Sequence, residues 1–476
     1  MKSEDALLGA WNKTLKKGEA PAIFHAHGRD PRSFRAIEEA ARAFESRLEG
    51  FSASAVLAIQ LGNHIDWPSI FLACLRRKLV VLPLETSMSE QEREAALAIC
   101  HVSGLVAAGP SRTGIVSGGE APVVLPLETE AARSTKINWH GTPPSLLKLT
   151  SGTTAAPRAI RFQTAQLLAD CKNICNTMGI TADDLNFGVI PISHSYGLSN
   201  LLTPLLACGV PVVLSNDRLP RAVLDNLAHT GATIFPGMPV FYQAFCEMEE
   251  LPRLPNLRLC ISAGAPLTAT IAKKFRDKFN RSIHSFYGSS ECGGICYDRD
   301  GKVLEDGFVG TPLEGVDLER VDLSAESSQV RVRSAAVGDG YFPEQDNEKL
   351  GNGIFVPDDL LARTADRWRI TGRVSDVINV AGKKVNPAEV EAQLMRFAGV
   401  RQAIVFGRKS SRRNEEVTAC VVADLNVREA DLLKFCRAAL SGWQVPKRIF
   451  LMDEIPVNER GKTSRRELAG RFQGAE

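Results

Sequence analysis

The sequence predicts an α/β protein with a large N-terminal domain of layered α/β subdomains, closing in a small β unit, followed by a small α+β C-terminal domain. Three observations lead there. Apolar runs of strand length alternate with segments of helical apolar spacing through most of the chain, the texture turns to short strands and turns near Gly307, and a helix with its own start and stop signals opens a separate segment after Arg373. At 476 residues the chain exceeds one compact core.

In chain order, "SAVLAIQL" leads into "WPSIFLACLRRK" and "LVVLPLE" into "SEQEREAALAIC". Later "NFGVIPI" leads into "GLSNLLTPLLACG" and "VPVVLS" into "PRAVLDNLAHTG". Strands separated by helices call for largely parallel sheets, because a parallel pair needs a crossover between its members. The stretches "GFVGTPLEGVDLERVD" and "SSQVRVRSAA" read as a small antiparallel β unit near 305–360. In "NPAEVEAQLMRFAG", Asn386 is a plausible N-cap, Pro387 takes the first helical position, Glu389 lies in the first turn and Gly399 closes the helix. With "VRQAIVFGRK", "NEEVTACVVAD", "READLLKFCRAALSG" and "KRIFLMDEIP", this makes an α+β module of about a hundred residues, an ordinary domain size. The boundary falls at 1–372 and 373–476.

Composition excludes several classes. Lys and Arg number 57 against 55 Asp and Glu, so nothing in the net charge calls for nucleic acid as partner. No run approaches the roughly 20 apolar residues of a membrane-spanning helix, and the N-terminus lacks the apolar core of a secretion signal. Eleven cysteines form no CxxC pair and no Cys/His metal spacing, which suits reduced thiols in a cytoplasm. Cys171/Cys175 and Cys292/Cys296 stand four apart and read as core fillers.

Chemistry concentrates in a few loops. In "LLKLTSGTTAAPRAIRF" a strand-like run breaks into Thr150, Ser151, Gly152, Thr153 and Thr154 before Pro157-Arg158. A glycine lets backbone N–H groups approach phosphate oxygens and hydroxyls add donors, although the same residues also make an ordinary turn. "IHSFYGSSECGG" sets Tyr287, Gly288, Ser290 and Glu291 after another apolar run. An aromatic face, a hydroxyl and a carboxylate together suit a base, a phosphate and a magnesium ion. "LRLCISAGAPL" places Ser262, Ala263, Gly264 and Ala265 in the same strand-then-small-residue style. Taken singly, each of these last two stretches is more often a turn than a site.

Together, in order and spacing, these stretches resemble the adenylate-forming superfamily of acyl-CoA synthetases, carrier-protein adenylation domains and luciferase-like ligases, along essentially the whole chain. "LTSGTTAAPRAIRF" is similar to its phosphate loop, "PISHSYG" to its histidine motif, "SAGAPL" to its adenine wall and "FYGSSE" to its adenine and magnesium motif. "NGIFVPDDL" resembles its ribose-binding segment, "GRVSDVINVAGKKVNPAEVE" its interdomain hinge and "IPVNERGKTSRREL" its C-terminal lysine loop.

The resemblance implies ATP-dependent activation of a carboxylic acid to an acyl-adenylate with release of pyrophosphate, then transfer to a thiol. By carry-over, Thr150, Ser151, Gly152, Thr153, Thr154 and Arg158 wrap the phosphates. Ser262, Ala263, Gly264, Ala265, Tyr287 and Gly288 hold adenine, Ser290 meets the α-phosphate and Glu291 holds Mg2+. Asp359 binds ribose, although Pro357-Asp358 stand where the family usually has Thr-Gly and so leave Asp358 open as the alternative. Arg373 reaches the ribose and phosphate side. Lys462, on a C-terminal domain that the resemblance makes mobile, bridges the carboxylate and the α-phosphate, and Ser375 stands at the hinge. His194, Ala263, Gly264, Cys292, Gly293 and Gly294 line the acyl path, the two adjacent glycines leaving volume for a chain or ring.

No carboxylate lies in "PISHSYGLSN" to pair with an amino acid's ammonium, so a fatty or aromatic acid is the expected small-molecule substrate. Free CoA is the expected acceptor. The alternatives are the phosphopantetheine of a separate acyl carrier protein, or a non-catalytic nucleotide-binding relative. A P-loop NTPase is disfavoured because GxxxxGK[ST] is absent. Ala155, Arg158 and Ala159 replace the family's usual glycine, lysine and glycine, which stiffens the loop and enlarges its basic group. Ser375 replaces the usual hinge Asp or Lys.

Overall fold

A computed structural model describes residues 5–28, 31–108, 122–127, 137–150, 158–380, 383–410, 414–456 and 465–472. It divides into two compact units. One comprises Met1–Glu319, Arg331–Val356 and Asp366–Trp368, the other Arg320–Val330, Pro357–Ala365 and Arg369–Glu476. The C-terminal unit therefore takes two segments from the region read as a small β unit.

In the N-terminal unit the elements run β1 (Pro21–His25), β2 (Val56–Gln60), α1 (Trp67–Arg76), β3 (Val80–Pro83), α2 (Glu90–Ile99), β4 (Val102–Ala108), β5 (Pro122–Pro126), β6 (Leu146–Leu149), β7 (Ala159–Phe162) and α3 (Thr164–Met178). There follow β8 (Asn186–Gly188), α4 (Thr203–Cys208), β9 (Val212–Leu214), α5 (Pro220–Thr230), β10 (Ile234–Gly237), β11 (Leu259–Ser262), α6 (Ala269–Phe279), β12 (Ile283–Ser289), β13 (Gly293–Tyr297) and β14 (Gly340–Phe342). Local chemistry sets the helix ends. Ser89 and Glu92 form a reciprocal capping box on α2, a device in which each side chain satisfies a backbone N–H left over by the first turn. Pro220 opens α5, and Gly231 closes it in the left-handed conformation at φ +67°.

Two sheets result. The first orders its strands β14-β7-β6-β3-β2-β4-β5, parallel at its centre and antiparallel toward both ends. The second contains β13-β12-β11-β10-β8-β9-β1, and every neighbouring pair except β12/β13 is parallel. Parallel strands are apolar on both faces because helices cover both. Phe235 of β10 accordingly packs against Phe241, Tyr242 and Phe245 at ring separations of 5.5–6.3 Å.

The segment read as one helix, "GLSNLLTPLLACG", begins earlier, at Ser195, and passes through a wide π-type turn at Leu198–Leu202 before α4. Pro204 near the start of α4 cannot donate a helical hydrogen bond, which favours such a break.

The C-terminal unit has β15 (Asp359–Thr364), α7 (Pro387–Met395), β16 (Val400–Ser410), β17 (Asn414–Ala423), α8 (Glu429–Ala439), β18 (Arg448–Met452) and α9 (Arg465–Arg471). β16 and β17 form a long antiparallel pair, and β18 joins β17 in parallel across the α8 crossover. Val390, Leu394, Val405, Val421, Leu432 and Ile449 close its core. The Asn386 side chain caps α7 by accepting from Ala388 N, but the helix ends at Met395, before Gly399. The chain tightens there through Phe397 N donating to Leu394 O, and Gly399 serves the next turn at φ +90°. No helix among the described residues is long and apolar enough to cross a membrane.

Candidate active site

The carboxyl ends of β8, β10, β11 and β12 lie side by side, the place where open parallel sheets expose backbone and loops to a ligand. The loop after β11 carries Ser262, Ala263, Gly264 and Ala265. Ser262 is buried, its hydroxyl without a partner among the described residues, Ala263 N donates to Gly237 O at 3.2 Å, and Gly264 turns in the left-handed region at φ +84°. Gly264 and Ala265 are exposed. At the end of β12, Tyr287 is 8% exposed, and a bulge between Tyr287 and Gly288 re-aims the residues that lead to Ser290 and Glu291.

Ser151, Gly152, Thr153 and Thr154 lie outside the described residues, as does Lys462. The neck of their loop is described. Thr150 donates to Arg158 O twice, from its N–H at 2.8 Å and its Oγ1 at 3.2 Å, so the β6/β7 hairpin is pinned at the two ends of the intervening segment. From that neck Arg158 extends over the Tyr341 ring at 4.4 Å, an attraction between a cation and an aromatic face. Tyr341 lies in β14, opposite Ile160 of β7, and its hydroxyl donates to Glu291 Oε1 at 3.1 Å. Ser289 Oγ donates to Glu291 Oε2, and Gly338 N to Glu291 O at 2.9 Å. Burial, and then the Glu291 charge, raises the Tyr341 pKa well above the phenol range, so the hydroxyl remains a donor. A carboxylate offers about four lone-pair directions, and these two hydroxyls use two. The residues therefore fit a hard cation: one pre-oriented carboxylate with acceptor capacity left is the donor set that suits Mg2+.

His194 caps the Ser195–Gly197 turn, its Nδ1 accepting from Tyr196 N at 3.1 Å, which puts the proton of the neutral ring on Nε2. Next to it, Ser195 Oγ donates to Ser290 Oγ at 2.9 Å and so joins the His194 turn to the segment of Glu291. Asn63 holds the loop in place from below. Its Nδ2 donates to Gly188 O, Ile190 O and Ser215 O at 3.0–3.3 Å, and its Oδ1 accepts from Ile192 N at 2.9 Å. Gly197 is required by contact, since a Cβ there would stand 2.0 Å from Pro191 O.

Beneath Glu291 sits a buried charged group. Asp170 of α3 accepts from Gly294 N at 2.9 Å and from Ser199 Oγ at 2.6 Å, the latter brought to it by the wide turn. Lys148 of β6 is 5% exposed, with its ammonium 4.4 Å from the centre of the Phe162 ring. Burial pushes the Asp170 carboxyl up against the pull of Lys148, and burial lowers Lys148 against the pull of Asp170 and Glu291. Each charge thus offsets part of the other's desolvation cost.

This geometry corrects one expectation. The room beside the two adjacent glycines is filled by protein: a Cβ on Gly293 would stand 2.0 Å from Asp170 Oδ1, and one on Gly294 2.7 Å from Leu313. Cys292 is wholly buried, its thiol pushed far up by that burial. These residues are small so that Asp170, Leu313 and Phe286 can approach, and they leave no volume for an acyl chain along their missing side chains.

In the C-terminal unit, Arg373 Nε donates to Asp359 Oδ1 at 2.7 Å, and the Asp359 side chain is 13% exposed against 61% for Arg373. Asp358 contributes its carbonyl, which accepts from Val374 N at 2.8 Å. Ser375 is exposed in a single 3₁₀ turn, Val374–Asp376. Arg465, at the start of α9, contacts both Glu391 oxygens at 2.9 and 3.0 Å and Asp376 at 2.6 Å, tying the residue after Ser375 to the helix that follows the lysine loop.

Sequence reasoning missed Asn63, Lys148, Asp170, Ser195, Tyr341 and Arg465. Only Lys148 carried a signal, as a charge inside an apolar run.

The AMP-binding enzyme family model matches residues 11–342, and the model of that enzyme's C-terminal domain matches 389–462. A feruloyl-CoA synthase of Amycolatopsis sp is 28% identical, over 86% of this chain and 87% of its own. A 3,4-dihydroxybenzoate–[aryl-carrier protein] ligase of Bacillus anthracis is 26% identical, over 89% and 95%. ATP-bound MatB from Rhodopseudomonas palustris superposes with a TM-score of 0.83 at 23% identity, covering 98% of this chain and 99% of its own, which shows a shared fold. The chain belongs to the AMP-binding enzyme family, within the adenylate-forming superfamily, and is an enzyme of its AMP-forming acid–thiol ligase class.

Proposed function

We propose that the protein uses ATP to activate an aromatic or fatty carboxylic acid and passes the acyl group to the thiol of CoA. The observation that carries this reading is the chain of contacts Arg158–Tyr341–Glu291, which couples the neck of the phosphate loop to a pre-oriented carboxylate. A carboxylate oxygen of the acid attacks the α-phosphorus of ATP, the bond to the bridging oxygen breaks, and pyrophosphate leaves. The thiol sulfur then attacks the acyl carbon, AMP departs with the transferred oxygen, and the thiol proton goes to solvent.

Catalysis of the first step requires cations and donors where negative charge accumulates. In this proposal Thr150, Ser151, Gly152, Thr153, Thr154 and Arg158 surround the β- and γ-phosphates, and Glu291 would hold Mg2+, whose charge would offset the developing negative charge. Ser290 accepts its bond from Ser195 and so keeps its own proton to donate to an α-phosphate oxygen. Ser262, Ala263, Gly264, Ala265, Tyr287 and Gly288 form the adenine site, and Asp359 with Arg373 the ribose site. His194 faces the acid, with Ala263 and Gly264 along its path. Lys462 meets the developing charge between acid and phosphate, and rotation about Ser375 replaces it with a thiol-binding face for the second step.

The aryl-carrier protein ligase among the relatives supports a second acceptor, a carrier protein's phosphopantetheine. Eleven free cysteines fit a reducing cytoplasm. Carboxylate-dependent ATP–pyrophosphate exchange across aromatic and fatty acids tests the reading, followed by acyl transfer to CoA or to an isolated carrier protein. Exchange with none of these acids would reject it.

A further inference from the structure

Cys171 and Cys175, read as core fillers, come together with Cys208. Cys171 and Cys175 stand one turn apart on α3, and Cys208 is the last residue of α4 before Gly209, which turns the chain at φ +69°. Their sulfurs all lie within 4.8 Å of one another, with Cys171 and Cys208 at 3.8 Å. A tetrahedral ion bound at about 2.3 Å to each sulfur sets those sulfurs roughly 3.8 Å apart, so the cluster needs only a small contraction to bind one. Cys171 and Cys175 are buried while Cys208 is half-buried, which leaves one side open to solvent.

We propose that Cys171, Cys175 and Cys208 form a binding site for one thiophilic divalent cation of the zinc type, with water as the fourth ligand on the Cys208 side. Thiolates prefer such ions to magnesium or calcium. Each thiol gives up its proton as it binds. A bound ion would staple α3 to α4, and α3 carries Asp170, the residue that holds Gly294 N beneath Glu291. The site is independent of the proposed reaction.

The test is a Cd2+ titration of the full-length protein, reduced and kept under nitrogen, followed by thiolate-to-cadmium charge-transfer absorption. The absorption is expected to saturate at one ion per chain and to be reversed by Zn2+. Removing one of three ligands should weaken binding roughly tenfold or more, so Cys208→Ser, at a half-buried helix end, should lose the tight phase. Cys246→Ser, a half-buried thiol outside the cluster, should retain it. Absence of absorption at one equivalent, or an unchanged titration in Cys208→Ser, overturns the proposal.

Discussion

Replacing Tyr341 by Phe removes one hydroxyl and little else. The ring stays beneath Arg158, so the cation–aromatic contact at 4.4 Å persists, and the buried volume hardly changes. What is lost is the donor 3.1 Å from Glu291 Oε1. A hydrogen bond to a charged group contributes about 1.5–3 kcal/mol, and if the whole of it serves to orient the carboxylate for Mg2+, the cost is roughly 10- to 150-fold. The Mg2+ concentration giving half-maximal pyrophosphate exchange should rise within that range, while the KM for ATP at saturating Mg2+ moves only a few-fold. Tyr341→Ala should in addition raise the KM for ATP, because Arg158 loses its support. Thermal unfolding of both variants separates these effects from loss of fold. If Tyr341→Phe shows the wild-type Mg2+ titration and rate, Glu291 is not held for a cation by Tyr341, and the chain of contacts behind the proposed function fails.

Gly293→Ala would place a Cβ 2.0 Å from Asp170 Oδ1 at φ +71°, and overpacking with left-handed strain should cost about 2–4 kcal/mol in urea unfolding. Gly353→Ala has φ +73° with its nearest contact at 3.8 Å and should cost only the strain, so equal losses in the two variants would contradict the packing argument. Lys462→Ala should abolish acid-dependent exchange and leave the melting temperature unchanged, and near wild-type exchange would remove it from the reaction. Burial alone would raise the Asp184 carboxyl, but Arg258, bonded to both its oxygens, pulls it below the ordinary 3.8. A depressed folded pKa gives stability that is present above the unfolded value and lost as pH falls through the folded one. The stability gap between wild type and Asp184→Asn should therefore hold at neutral pH and shrink below about pH 4, whereas a gap independent of pH would refute this pairing.

The layered α/β architecture was legible because its evidence is local: apolar runs of strand length, segments of helical spacing, and Asn386 before Pro387 all act within a few residues. The order of the loops was legible for the same reason. Unreadable were contacts made by sheet pairing between distant segments. Tyr341 reaches Glu291 only because β14 pairs with β7, and nothing in "DGYFP" announces that partner. Gly293 and Gly294 were misread because a glycine signals that space is needed without saying whether ligand or protein fills it, and here Asp170 and Leu313 do. The approach of Cys208 to Cys171 is likewise made by distant segments, through the π-type turn and α4.

The central claim is that a carboxylate oxygen attacks the α-phosphorus, and the fate of that oxygen tests it. An acid accepted in the exchange assay, labelled with oxygen-18 in its carboxylate, is incubated with ATP, Mg2+, CoA and the enzyme, and the nucleotide product is weighed by mass spectrometry. The account predicts AMP carrying a single oxygen-18, together with unlabelled pyrophosphate and the acyl thioester. Unlabelled AMP, or ADP with labelled inorganic phosphate, would contradict it.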